Sequence, residues 1–166
     1  LLAAPIAVPL LMAALSIIVR KASIQRVLSF VGLGVALAAA VANFVRIASD
    51  GEILVSRLGG WPAPVAITLV ADRLSAVLVL IALLVATVVL VFAIGQRAAD
   101  ERSSFYHPVY LIMVAGISQA FLAGDLFNLF VAFEVLLMAS YVLLTLEGTN
   151  AQVRSGTTYV VLNVVE

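Results

Sequence analysis

The sequence has no cysteine, a single histidine (His107) and little charge: 11% of its 166 residues are Asp, Glu, Lys or Arg, and the two signs cancel. The missing thiols exclude disulfides, thiolate metal sites and cysteine nucleophiles, and they leave the redox compartment open. One histidine cannot build a metal site alone, and the carboxylates are scattered along the chain, so neither a metal nor a cofactor is expected. A zero net charge supplies no basic field for nucleic acid.

What is abundant is apolar. Hydrophobic residues make up 64% of the chain and the mean hydropathy is +1.23. Soluble domains run at about 45–50% apolar and about 25% charged. This chain has too little polar surface to face water all round, and it reads as a membrane protein whose lipid-facing partner is the bilayer.

A membrane-spanning helix needs about 20 predominantly apolar residues. Leu1–Val19 is uncharged, with Pro5 and Pro9 near its first end, and makes the first expected helix. A signal peptide would open on positive residues and end in a cleavage site, whereas here Arg20 and Lys21 follow the apolar run. The opening therefore reads as a helix whose beginning is missing, and "TTYVVLNVVE" at the other end as a helix cut short. Val27–Val45 is the second uncharged run, and its "GLGVALAAAVA" supplies small residues suited to close helix packing. Leu74–Ile94, Pro108–Gly124 and Leu126–Leu146 follow, and a sixth helix is expected to start near Val153.

Between the second and third helices lies "SDGEILVSRLGGWPAPVAITLVAD", with β-prone residues on both sides of Gly59 and Gly60. It reads as a short extended hairpin over residues 50–72, outside the membrane, with Trp61 as an interfacial anchor and Asp72 as the N-cap of the third helix. The expected architecture is an all-α polytopic membrane protein. It has five transmembrane helices, the start of a sixth, and a hairpin between helices two and three.

Basic residues near the helix ends set the orientation. Arg20, Lys21, Arg26, Arg97, Arg102 and Arg154 flank one side, against Arg46, Arg57 and Arg73 on the other. Six against three favours an N-terminus outside the cell and the first, third and fifth loops in the cytoplasm.

Against this apolar background, "GDLFNLFVAFEVLLMAS" carries one carboxylate, Glu134, nine positions after Asp125. Nine residues of helix rise roughly 13 Å, which puts Glu134 near the middle of a hydrocarbon core about 30 Å thick. A charged side chain there costs roughly 2.5–3.5 kcal/mol on insertion scales. A carboxyl that a neighbour can drive between charged and neutral forms is what proton transfer requires, so Glu134 is the leading candidate site. The competing reading is a structural glutamic acid, always protonated and hydrogen-bonded to a neighbouring helix. Phe130, Val131, Met138 and Tyr141 share its helix face; they read as packing, with Tyr141 a secondary candidate able to hydrogen-bond the site.

Other polar residues rank lower. Asp125 reads first as the cap of the fifth helix and second as a proton entrance. Asn128 falls in the first turn and can satisfy backbone groups there. His107, next to Pro108 at a helix edge, reads as a solvated residue at headgroup level, with a proton-relay role as the alternative. Gly116, Ser118 and Gln119 interrupt the fourth helix as interhelix contacts or as the lining of a wet path. The pairs Asp50/Glu52 and Asp100/Glu101 read as solvated loop charges.

At these residues a resemblance enters. "GGWPAPVAITLVADRLSA", "FYHPVYLIMVAGISQAFLAGDLFNLFVAFEVLLMASYVLL" and "RSGTTYVVLNVV" together resemble the D-type subunit of the Mrp multisubunit cation/proton antiporters. They are similar, less closely, to the antiporter-like proton-pumping subunits of respiratory complex I (NADH-quinone oxidoreductase). The resemblance implies one membrane domain over residues 1–166, the N-terminal part of a subunit of about fourteen helices built on two inverted five-helix repeats. It places Glu134 at the family's fifth-helix glutamate, which works with a lysine on a seventh helix, and it implies an outside N-terminus in a cell membrane. The implied partners are other subunits of a hetero-oligomeric complex, with H⁺ and Na⁺ or another monovalent cation as cargo. Glu166 departs from the small hydroxyl residues that the family carries after "LNVV". Three functions stay open: a cation/proton antiporter subunit with no enzymatic chemistry, a redox-driven proton-pumping subunit, and an inactive truncated product.

Overall fold

The computed structural model describes residues 1–59, 67–96, 103–146 and 148–165. Trp61, Gly60, Arg97, Arg102, the Asp100/Glu101 pair and Glu166, all used in the sequence reading, lie outside them. The described residues form six helices and two strands: α1 (Ala4–Ile18), α2 (Ala22–Asp50), β1 (Leu54–Leu58), β2 (Ile67–Ala71), α3 (Arg73–Gly95), α4 (Tyr106–Leu122), α5 (Leu126–Leu144) and α6 (Asn150–Val165).

Three of the helices, α2, α3 and α5, are long and apolar enough to cross a membrane; α1 and α4 are apolar but shorter. Helix α2 is longer than its uncharged run, because the helix carries its charged residues Arg26, Arg46 and Asp50 at its two ends. It stops at Gly51, whose φ of 68° is the left-handed cap that a residue without Cβ adopts without strain. Helix α1 has Pro5 in its first turn, where a missing N–H costs nothing, and Pro9 in its interior.

Helix α4 is the centre of the bundle and packs against α1, α2, α3 and α5. Small residues let it do so. A Cβ on Gly116 would lie 3.1 Å from the Leu136 backbone nitrogen, so α4 and α5 meet backbone to backbone there. The buried stripe of α2, including Gly32, Leu33, Ala36, Ala39 and Ala40, recurs at helical spacing and faces its neighbours. Tyr110, 3% exposed, donates its hydroxyl to the Ala86 carbonyl at 2.7 Å and ties α4 to α3.

Strands β1 and β2 pair antiparallel in the register Leu54↔Ala71 to Leu58↔Ile67. Successive strand side chains point to opposite faces, and β2 buries Leu69 and Ala71 against the helices. Its inner edge also touches the α4–α5 turn, where Leu69 bridges to Ala123. That turn contains Gly124, and a Cβ there would lie 2.5 Å from Val70 Cγ2 and 3.0 Å from the Thr68 carbonyl oxygen. Only glycine admits this approach, and its N–H donates to the Thr68 carbonyl at 2.8 Å. Asp72 caps α3 through a reciprocal pair of bonds with Ser75, accepting from its N–H at 2.8 Å while the Asp72 N–H donates to the Ser75 hydroxyl at 2.9 Å.

Candidate functional site

Helix α5 turns one face to α4 and leaves another uncovered. Asn128, Ala132 and Ala139, spaced four and seven apart, are its buried residues. At about 100° per residue, Glu134 falls on nearly the opposite side of the helix. It is exposed on this chain, so the carboxylate that the sequence places at mid-membrane depth is left uncovered by the described residues. The physical reason is the pairing of helices: α5 lies firmly against α4 and meets α6 over a much smaller surface, and neither neighbour covers the Glu134 face.

Two grooves flank the carboxylate. One, about 440 Å³, runs between α4 and α5 and is walled by Val109, Ile112, Val135, Met138 and Val142 together with Glu134. The other, about 380 Å³, lies between α5 and α6 and is walled by Phe130, Leu137, Tyr141, Tyr159 and Val160, again with Glu134 and Met138. Phe130 and Met138 are 61% and 65% exposed, so the residues expected to pack around Glu134 form the rim of an open surface instead. Tyr141 shares the second groove with Glu134, as its place on the same helix face implies.

Tyr159 was not singled out by the sequence. It meets Ser140 hydroxyl to hydroxyl at 3.0 Å. The Ser140 hydroxyl also lies 2.9 Å from the Leu137 carbonyl oxygen, and either hydroxyl of the Ser140–Tyr159 pair can donate. The signal in sequence was weak: a tyrosine in the last helix carries no spacing that pairs it with α5.

Asp125 caps α5. Its carboxylate accepts from the Asn128 N–H at 2.7 Å and from the Thr68 N–H at 3.1 Å. These two bonds, Asn128 first, hold its carboxyl below the ordinary value of 3.8. Asn128 adds a donation from Nδ2 to the Thr68 carbonyl at 3.2 Å and accepts from Gln119 Nε2 at 2.7 Å. Thr68 is thus held by both backbone groups, and β2, the α4–α5 turn and the first turn of α5 form one hydrogen-bonded unit. Gln119 is an interhelix contact, and Ser118 folds back on its own helix, donating to the Val114 carbonyl at 3.0 Å.

His107 overturns its sequence reading. It is fully buried, not solvated. Its Nδ1 is hydrogen-bonded to the Ser29 hydroxyl at 3.0 Å, and its ring meets Tyr106 edge-on at 5.4 Å. The reason is that α4 enters the bundle centre at its first turn, between α1 and α2, so the end of the helix is not at the edge of the protein. His107 lines neither groove beside Glu134. Of the four candidate residues, the structure brings Glu134 and Tyr141 together and places Asp125 and His107 elsewhere.

No model of a protein family matches the sequence. Curated relatives do. The chain is 40% identical over 161 residues to the Na⁺/H⁺ antiporter D subunit of Alkalihalophilus pseudofirmus, an alignment that covers 96% of the chain and 32% of that protein. It is 36% identical over 162 residues to the Na⁺/H⁺ antiporter D subunit of Bacillus subtilis, covering 97% of the chain and 33% of the relative. Among solved structures, the Mrp complex from Dietzia sp. contains a chain that superposes with a TM-score of 0.88 at 32% identity, over 99% of this chain and 31% of that one. The chain spans about a third of the length of the curated relatives it matches.

Proposed function

From its homology, along nearly its whole length, to the D-type subunits of the Na⁺/H⁺ antiporters, we propose that this chain forms part of a membrane subunit exchanging a monovalent cation, Na⁺ foremost, for protons. The observation that carries the site is Glu134. It is the one charged residue in the middle of any described helix, and it stands on a helix face that the described residues leave uncovered. A carboxylate in hydrocarbon faces protein or water and pairs with a cation or binds a proton. The grooves on either side leave room for a covering element that brings such a cation, and the family resemblance supplies one in the lysine of a seventh helix.

In this reading Glu134 alternates between an ion pair and a protonated acid. Arrival of a proton weakens the pair, and re-formation of the pair moves the proton on. Tyr141, in the same groove, orients water or the carboxyl group. Five helices, α1 to α5, cross the bilayer of the cell membrane, with β1 and β2 and the N-terminus outside and the arginine-rich loops in the cytoplasm. Helices α1 and α4 rise roughly 22–26 Å, and they span with help from flanking residues and local thinning of the bilayer. The chain carries no catalytic chemistry of its own. Its partners are the other subunits of a hetero-oligomeric complex.

The test uses everted membrane vesicles that contain the intact complex. A proton gradient is established, Na⁺ is added, and a pH-sensitive dye reports whether the gradient collapses, with Glu134 and with Glu134→Gln. Sodium-dependent collapse that disappears in the Gln variant is the expected result. Exchange that survives Glu134→Gln removes Glu134 from the mechanism. Proton pumping on a respiratory donor, with no response to Na⁺, replaces the antiporter by a redox-driven pump.

A further inference from the structure

We propose that the junction where α1, α2 and the approach to α4 meet holds an ordered internal water, bound between the Ser16 hydroxyl and the Gln25 side-chain carbonyl. Ser16 and Gln25 are 0% and 1% exposed. Gln25 Nε2 donates to two carbonyls, that of Ser16 at 2.7 Å and that of Ser104 at 3.0 Å. The Ser16 carbonyl belongs to the last turn of α1, where helix geometry leaves such oxygens without an intrahelical donor. The amide is therefore fixed with its nitrogen toward these two acceptors, and the opposite end, Oε1, is turned from both.

Among the described residues Gln25 Oε1 has no hydrogen-bond partner, and neither does the Ser16 hydroxyl. Buried polar atoms are almost always satisfied by protein or ordered water. Here two unsatisfied atoms sit on two residues that a 2.7 Å bond holds in contact. A single water answers both, donating one proton to Oε1 and sharing the other bond with the hydroxyl. Such waters form about three bonds each.

A metal cation does not suit the same place. A desolvated monovalent ion needs several oxygens and a compensating charge. Among the described residues the junction has no carboxylate; it places the Gln25 NH₂ beside the site and adjoins the turn carrying Arg20 and Lys21. That turn is itself exposed at Arg20 and Lys21. One helical turn further along α2, the bond from Ser29 to His107 continues the polar seam toward α4.

The test is a density map of the intact protein in lipid nanodiscs, at a resolution where other interior waters are seen, for the wild type and for Ser16→Ala. A peak within hydrogen-bonding distance of both Ser16 Oγ and Gln25 Oε1, lost or weakened in Ser16→Ala while Gln25 keeps its conformation, is expected. Absence of the peak in the wild type, persistence of an unchanged peak in Ser16→Ala, or the short multi-oxygen contacts of a cation would each overturn the assignment. If Ser16→Ala fails to assemble, Gln25→Met, similar in length but without the amide, serves in its place: loss of the peak supports the site and an unchanged peak overturns it.

Discussion

Thr68 and Asp125, 57 residues apart in sequence, are joined by a 3.1 Å hydrogen bond from the Thr68 N–H to the Asp125 carboxylate. The same carboxylate caps α5, the helix that carries Glu134. One side chain therefore links the strand pair directly to the helix that carries the candidate site.

The first prediction concerns that link. The two N–H donors hold the Asp125 carboxyl below its ordinary value of 3.8, so the folded protein takes up this proton at lower pH than the unfolded chain does. The contribution to stability is complete above that ordinary value and is lost as pH falls through the lowered one. At neutral pH the Thr68 amide is protected from hydrogen exchange; Asp125→Ala accelerates its exchange several-fold there, and the difference between wild type and variant vanishes in strong acid. An Asp125→Ala protein with an unchanged Thr68 amide would show the bond to be irrelevant.

Gly124→Ala probes the same unit from the turn. The added methyl meets Val70 Cγ2 and the Thr68 carbonyl oxygen, so β2 must move away. Overpacking of this kind costs about 1–3 kcal/mol. The midpoint of thermal unfolding in a fixed lipid environment should drop accordingly, whereas Gly34→Ala, with nothing within 4 Å of the new methyl, should leave it unchanged or raise it.

How much of this was legible in the sequence follows from what is local. The apolar runs mark the helices, the Asp72 cap lies beside its helix, and Glu134 stands out because nothing near it is charged. The residues that were misplaced depend on neighbours distant in sequence. His107 reads as a headgroup residue until α1 and α2 close around the first turn of α4. Gln25 and Ser29 look like ordinary polar residues at the start of α2, because their partners are 78 and 79 residues away for the bonds to His107 and Ser104. The exposure of Glu134 was invisible for the opposite reason: a carboxylate in an apolar run says that a partner is needed, not which element supplies it.

Gln25→Leu tests the α1–α2–α4 junction. It deletes two hydrogen bonds, each worth about 0.5–1.5 kcal/mol, and leaves the Ser16 carbonyl unpaired, so a loss of about 1–3 kcal/mol is expected. Tyr110→Phe is the comparison. It deletes one bond to the Ala86 carbonyl, which keeps its intrahelical donor, so about 1 kcal/mol or less is expected. Unfolding midpoints that rank the two variants the other way would contradict this account of the junction.

The last prediction separates charge from position at Glu134. Glu134→Asp keeps the carboxylate and withdraws it by one methylene toward α5, away from the partner that the uncovered helix face requires. Misplacement of a reacting group by about 1 Å can cost roughly 10²-fold in rate. In the vesicle assay, Glu134→Asp should slow exchange by up to that factor while Na⁺ still drives it, and Glu134→Gln should abolish it. If Asp and Gln are equally inactive, the geometry of the pair is as stringent as its charge. If Gln works as well as Asp, ionisation at this position contributes nothing and Glu134 is a structural hydrogen-bonding group.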